Sequence, residues 1–123
     1  MSPPRSSSSQ SIEENLKKAV IEMLVMLLLA EQDMHSAQIT QTLEERTDNT
    51  LNLTFPYALL YRLIENGYIR EAYKKIAPDG RRRQYYQITE EGRRHLTTLI
   101  ATYQRFSENM AQLLKGEEET HGE

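Results

Sequence analysis

Apolar residues first recur with helical spacing at Leu16, Val20, Met23, Leu24, Leu27 and Leu28, which share one side of a helix running to about Glu31. Ser11 followed by Glu14 has capping-box spacing and is the expected start. Val25, Met26 and Leu29 widen the stripe beyond what one small domain needs, so this helix is either fully enclosed or buried twice, against its own domain and against a second subunit. Gln32–His35 breaks the pattern as a turn. A second helix follows from His35 or Ser36 to Arg46, with Ile39 and Leu43 inward and Gln38, Gln41 and Thr42 outward. Thr47–Leu53 reads as a polar loop pinned by Leu51 and Leu53. A third helix begins between Asn52 and Pro56, with Pro56 in the first turn, where a missing N–H does no harm.

At 100° per residue the third helix divides into an apolar half (Pro56, Leu59, Leu60, Leu63, Ile64) and a half bearing Tyr57, Ala58, Tyr61, Arg62 and Glu65. The first half docks on the preceding helices, and the second faces outward. Gly67 supplies a left-handed stop. Two strand-like runs follow, Tyr68–Ala77 and Arg81–Thr89, joined by Pro78-Asp79-Gly80 turn chemistry. Simple alternation puts Tyr68, Arg70, Ala72 and Lys74 on one face and Ile69, Glu71, Tyr73 and Lys75 on the other. On the return strand Tyr86 and Ile88 oppose Tyr85 and Gln87, so one adjacent tyrosine belongs to the core and Tyr85 lies at the outer surface. A helix followed by a basic hairpin is the sequence form of a winged helix-turn-helix.

Thr89 is a good N-cap for a last helix, with Glu90 and Glu91 in its first turn. Leu96, Leu99, Tyr103, Phe106, Met110 and Leu113 follow at spacings of 3, 4, 3, 4 and 3, a heptad seam expected to run to Lys115 and to stop at Gly116. Such a seam packs on the first helix of its own subunit or on a second copy, and homodimerisation through it with Leu24 and Leu28 is the simplest reading. The fold class is therefore mainly α with a small β-hairpin: a winged helix-turn-helix plus a long C-terminal dimerisation helix. The expected divisions are a disordered leader at 1–10, the winged domain at 11–89, the dimerisation helix at 90–115 and an acidic tail at 116–123.

Charge sharpens this picture. The chain of 123 residues has a net charge of −3, yet residues 51–95 hold nine Lys/Arg against five Asp/Glu while the flanks hold six against thirteen. Positive charge is thus concentrated on the helix-plus-hairpin, as a DNA-binding face requires. Lys74, Lys75, Arg81, Arg82 and Arg83 crowd the hairpin tip and repel one another unless an anion such as a phosphate backbone neutralises them. Tyr57, Ala58, Tyr61 and Arg62 are the expected base- and phosphate-contacting residues, with Tyr85 beside them. Arg62 alternatively pairs with Glu65 or Glu45. There are no cysteines, which excludes disulfides and thiolate metal sites. Met1–Gln10 lacks the apolar core of a signal peptide and Ala19–Ala30 is too short for a membrane span, so a cytoplasmic protein without membrane association is expected. Glu31, Asp33 and His35 have types suited to a metal or an acid–base pair, but no second histidine or nucleophile accompanies them. His95 and His121 stand alone, and neither catalysis nor a cofactor is expected. A winged-helix protein-interaction adaptor that does not bind specific DNA is the alternative function.

The chain resembles the PadR family of winged-helix transcriptional regulators, in its short form with one C-terminal helix. The resemblance spans about Leu16 to Leu114. It rests on Leu28–Glu31, on His35, on Tyr57, Leu60, Arg62, Leu63 and Gly67, and above all on the string Gly80-Arg81-Arg82-Arg83-Gln84-Tyr85-Tyr86-Gln87-Ile88-Thr89 with Glu91-Gly92 after it. Two positions depart from the family: Ser36-Ala37 follow His35 where Gly-Tyr is usual, and Ile64 replaces a common acidic residue. The resemblance implies a two-fold dimer whose C-terminal helices pack on the partner's N-terminal helices. It also implies repression relieved by a small aromatic, phenolic or hydrophobic cationic effector. Some relatives hold a planar ligand between tryptophans, of which this chain has none. Tyr103 or Phe106 stands in that role or simply packs in the seam.

Overall fold

A computed structural model describes residues 9–121. In chain order it contains α1 (Ser9–Glu31), β1 (Met34–His35), α2 (Ser36–Arg46), α3 (Pro56–Glu65), β2 (Ile69–Ile76), β3 (Arg82–Ile88) and α4 (Glu90–His121). The expected leader falls mostly outside the described residues, but Ser9 and Gln10 already belong to α1, so Ser11 is not its cap.

The core forms where α1, α2, α3, the sheet and the base of α4 converge. Val25, Met26, Leu28 and Leu29 of α1 meet Ile39 and Leu43 of α2, Leu59, Leu60 and Leu63 of α3, Ile69, Tyr86 and Ile88 of the sheet, and Leu96 of α4. Burying each of the α3 leucines is worth roughly 1.5–3 kcal/mol, which fixes the rotation of that helix about its axis. Pro56 occupies its first turn as expected. At its other end Gly67 has φ +79°, and Tyr68 N–H and Gly67 N–H return to the carbonyls of Leu63 and Ile64, each at 2.9 Å. This Schellman closure lets the chain reverse directly into β2. At the end of α2, Asp48 and Asn49 take positive φ, a conformation their short polar side chains tolerate better than most.

The sheet is antiparallel with order β1-β3-β2. Met34 and His35 form its third strand, pairing with Tyr86 and Tyr85, so the segment read as a turn is a strand edge. Two residues are too few to display an alternation. The second departure is a bulge between Glu71 and Tyr73, which pair with Tyr86 and Tyr85 respectively. The extra residue, Ala72, moves Tyr73 and Lys75 to the face opposite Ile69 and Glu71, against simple alternation.

Thr89 anchors α4. Its hydroxyl accepts from Gly92 N–H at 2.9 Å and lies 2.6 and 3.0 Å from the carbonyls of Gly67 and Tyr68. Gly92 is needed for this docking, because a Cβ there would sit 2.0 Å from Tyr68 O. The helix does not stop at Gly116 but continues to His121. An interior glycine costs a helix only about 1 kcal/mol relative to alanine, and a true stop would need a left-handed backbone; Gly116 is not among the positive-φ residues. The expected acidic tail is therefore helical as far as it is described.

Candidate nucleic-acid interface

With three leucines locked inward, α3 turns its other half to solvent. Tyr57 is 59% and Tyr61 63% exposed, and Ala58 and Arg62 lie on the same open half. Tyr57 Oη is 3.2 Å from Ser36 Oγ at the start of α2. Arg62 Nε donates to Glu22 Oε1 of α1 at 2.5 Å. The partner is neither Glu65 nor Glu45, because Arg62 lies at the α1 border of the open face. Exposed pairs of this kind contribute about 0–1 kcal/mol, so Glu22 holds the guanidinium only weakly.

The wing completes the surface. Arg83 lines the same groove of about 340 Å³ as Ser36, Thr40, Gln41 and Tyr57, which sets the hairpin beside the α2–α3 unit. Asp79 organises the turn by accepting from Arg81 N–H at 3.0 Å and Arg83 Nη2 at 2.6 Å. The Arg83 hydrogen bond, followed by the backbone one, holds the Asp79 carboxyl below its ordinary range. Lys75 Nζ sits 4.6 Å from the Tyr85 ring centre and 5.5 Å from that of Tyr73, while the two rings stack at 5.3 Å. The five cations are therefore not equivalent. Arg83 and Lys75 are engaged within the wing; Lys74, Arg81 and Arg82 are exposed and have no side-chain partner among the described residues.

Tyr85 is a correction. It is 4% exposed, held between Tyr73, the Lys75 ammonium and the edge of His35. Both adjacent tyrosines are buried: Tyr86 joins the core, while on the opposite sheet face Tyr85 is enclosed by its neighbours His35 of β1 and Tyr73 and Lys75 of β2.

The residues suited to acid–base work are dispersed into structural roles. Glu31 forms two hydrogen bonds with Arg46, at 2.7 and 3.0 Å. Asp33 accepts from Tyr73 Oη at 2.9 Å and Gln87 Nε2 at 3.3 Å, and this carboxylate raises the Tyr73 phenol pKa. His35 caps α2 by accepting Gln38 N–H on Nδ1 at 3.2 Å, which requires the neutral ring. Burial, and secondarily the nearby Arg83 charge, lower its pKa against an opposing pull from Asp79. His95 stacks on Tyr68 at 4.0 Å.

The expected dimer residues separate into three groups. Leu28 and Leu96 are 3% and 6% exposed within the subunit's own core and are unavailable to a partner, a correction that follows from the base of α4 packing on α1. Leu24 and Leu99 are half-buried on the core margin. Tyr103, Phe106, Met110 and Leu113 are exposed. An apolar cleft of about 270 Å³ between α1 and α4 is lined by Leu16, Val20, Met23, Leu99, Tyr103 and Phe106, among others. Among the described residues no helix is long and apolar enough to cross a membrane.

Four residues join this surface beyond those expected from sequence, and two of them escape a one-dimensional reading. Ser36 and Glu22 contact α3 from 21 and 40 positions away, a distance no local pattern spans. Asp79 was legible, since an Asp in the turn four positions before Arg83 has the spacing of the pair it makes. Phe55, just before α3, is an apolar residue with no place in the inward half, and it is 80% exposed.

The comparisons with known proteins agree with this geometry. A family model described as the transcriptional regulator PadR-like family matches residues 25–98. A Streptococcus transcriptional regulator of known structure is 26% identical, with a TM-score of 0.71 over 80% of this chain and 95% of that one. A PadR-like transcriptional regulator from Bacillus cereus superposes with a TM-score of 0.72 over 81% of this chain and 96% of that one; at 21% identity it shares the fold. An uncharacterised protein from Lysinibacillus sphaericus is 27% identical over 107 residues, 85% of this chain and 97% of its own length.

Proposed function

This chain belongs to the PadR-like family of transcriptional regulators, and from that premise we propose that it is a repressor that binds a palindromic operator as a homodimer. The observation that carries this reading is the division of α3: three leucines buried on one side, and Tyr57, Ala58, Tyr61 and Arg62 open on the other, beside a wing with Lys74, Arg81 and Arg82 unpaired among the described residues. In the complex, α3 enters the major groove. Arg62 leaves Glu22 for a guanine edge, and the tyrosines meet phosphates or thymine methyls. The wing cations follow the backbone, with Arg83 fixed at the junction by Asp79.

Homodimerisation uses Tyr103, Phe106, Met110 and Leu113 of α4, apolar groups that are costly to leave in water. Two-fold symmetry then spaces the half-sites by about one helical turn, about 34–36 Å, or a multiple. A small aromatic or hydrophobic effector enters the cleft between α1 and α4, beside Tyr103 and Phe106, and releases the operator by changing how the two copies are held. The family consists of regulators, and no catalytic step is assigned.

Selection from a random duplex library followed by fluorescence anisotropy tests the reading. Six unpaired wing cations in a dimer predict a slope of log K against log salt of about −5 on an enriched palindrome. Equal affinity for random duplex at all salt concentrations refutes it.

A further inference from the structure

Phe55 occupies the N-cap of α3, with φ −122° and ψ 80°, and its side chain makes no capping hydrogen bond. Serine, threonine, aspartate and asparagine are favoured there because their side chains accept one of the open N–H groups of the first turn. A phenylalanine forgoes that bond. It does not recover the loss by burial either, since the ring is 80% exposed, more than the other exposed large apolar residues. Neither capping nor packing explains the residue.

Its position does. The N-terminal residues of a recognition helix are those that meet base edges in the major groove, and Pro56 follows at once, restricting the backbone from which the ring projects. Glu14, Lys17 and Lys18 of α1 line the same cleft as Phe55, with the Lys17 ammonium paired to Glu13 at 3.2 Å, so the ring stands at the border between α1 and α3. Phenyl has no hydrogen-bonding group. The apolar feature that the major groove offers it is the C5-methyl of thymine.

We propose that Phe55 is a specificity-determining residue that reads a thymine methyl in each operator half-site. This rests on the DNA-binding reading of α3 given above. It adds a base contact independent of Arg62, lying on the α1 side of α3, whereas Tyr57 lies on the α2 and wing side.

The test uses the full chain and its selected operator, with each half-site thymine replaced in turn by deoxyuridine, which removes only the methyl. At one thymine the wild type loses about fourfold in affinity per half-site, and about 15-fold when both halves are changed, the value of burying one carbon twice. Phe55→Ala binds the thymine and uracil operators equally. Phe55→Ser does the same while unfolding at higher urea, because it restores the cap. The proposal is overturned if the half-site contains no thymine, if no methyl matters to the wild type, if Phe55→Ala still distinguishes the two operators, or if Phe55→Ala separates the dimer in sedimentation. A wild type with no sequence-selective binding removes the DNA reading and this proposal together. Selective but methyl-blind binding removes this proposal alone.

Discussion

Gly92→Ala is expected to destabilise the protein severely, although alanine is the better helix former. The gain in helix propensity is about 1 kcal/mol. Against it, the new Cβ lies 2.0 Å from Tyr68 O, 2.9 Å from Tyr68 C and 2.9 Å from Ile88 Cγ1, whereas comfortable carbon contacts begin near ~3.5 Å. Two of these three atoms are backbone, so no rotamer change relieves them. Tyr68 is moreover held by its own N–H to Leu63 O, by Thr89 N–H and by the Thr89 hydroxyl. Moving α4 outward by more than an ångström strains or breaks this set, each bond contributing about 1 kcal/mol, and overpacking adds about 1–3 kcal/mol. The net expectation is a loss of about 2–4 kcal/mol, read as a lower urea midpoint at fixed protein concentration. Gly116→Ala on the same helix is the control. Its Cβ meets nothing within 4 Å, and it should raise stability by about 0.5–1 kcal/mol. A Gly92→Ala midpoint equal to or above wild type refutes the docking argument.

Other outcomes are as specific. Phe106→Glu should leave the monomer fold intact, since the ring is 60% exposed, and should convert the dimer to a monomer in analytical ultracentrifugation; an unchanged dimer mass counts against the α4 interface. Arg82→Ala should reduce the salt slope by about 2 for a dimer, one phosphate per subunit, with little effect on discrimination between sites. Glu22→Gln frees Arg62 from its ion pair and should tighten operator binding up to about fivefold per half-site, the scale of one exposed pair, while Arg62→Ala flattens discrimination; weaker binding by Glu22→Gln contradicts the handover. The His35 pKa is lowered in the folded state, so the unfolded chain binds the proton first. Its contribution is therefore complete above about pH 6.5 and is lost as pH falls from there through the folded-state value. His35→Asn keeps a capping side chain and should remove that part of the acid sensitivity in urea titrations at pH 7.5 and 5.5.

What the chain discloses before folding is what its period discloses. The inward leucines of α3, the Gly67 stop and the Thr89 cap are each set by local spacing or backbone chemistry, and each is found where expected. What escaped depends on partners distant in sequence. Met34 and His35 become a strand only because β3 is there to receive them. Ala72 is a bulge residue only in register with Tyr85 and Tyr86, and Tyr85 is enclosed only when β1, Tyr73 and Lys75 converge on it. The seam after Thr89 was legible as a period, but a period does not say which neighbour covers it. Leu96 is claimed by its own subunit, whereas Tyr103 to Leu113 remain open. The triple arginine, by contrast, carried its own counter-charge in legible spacing, since Asp79 four positions earlier takes Arg83.

The uninterrupted course of α4 has a mechanical consequence. From Gly92 to Leu113 the helix axis extends about 32 Å, and its foot is wedged against the Tyr68 carbonyl, one step after the Gly67 corner where α3 ends. Such a rod works as a reducing lever. A sideways travel of about 3 Å at Leu113 reaches the foot as a rotation of only about 5°, for a rod of that length. On the proposed reading, a coarse rearrangement at the apolar far end would reach α3 as a fine change of aim, carried by the backbone hydrogen bonds of the rod.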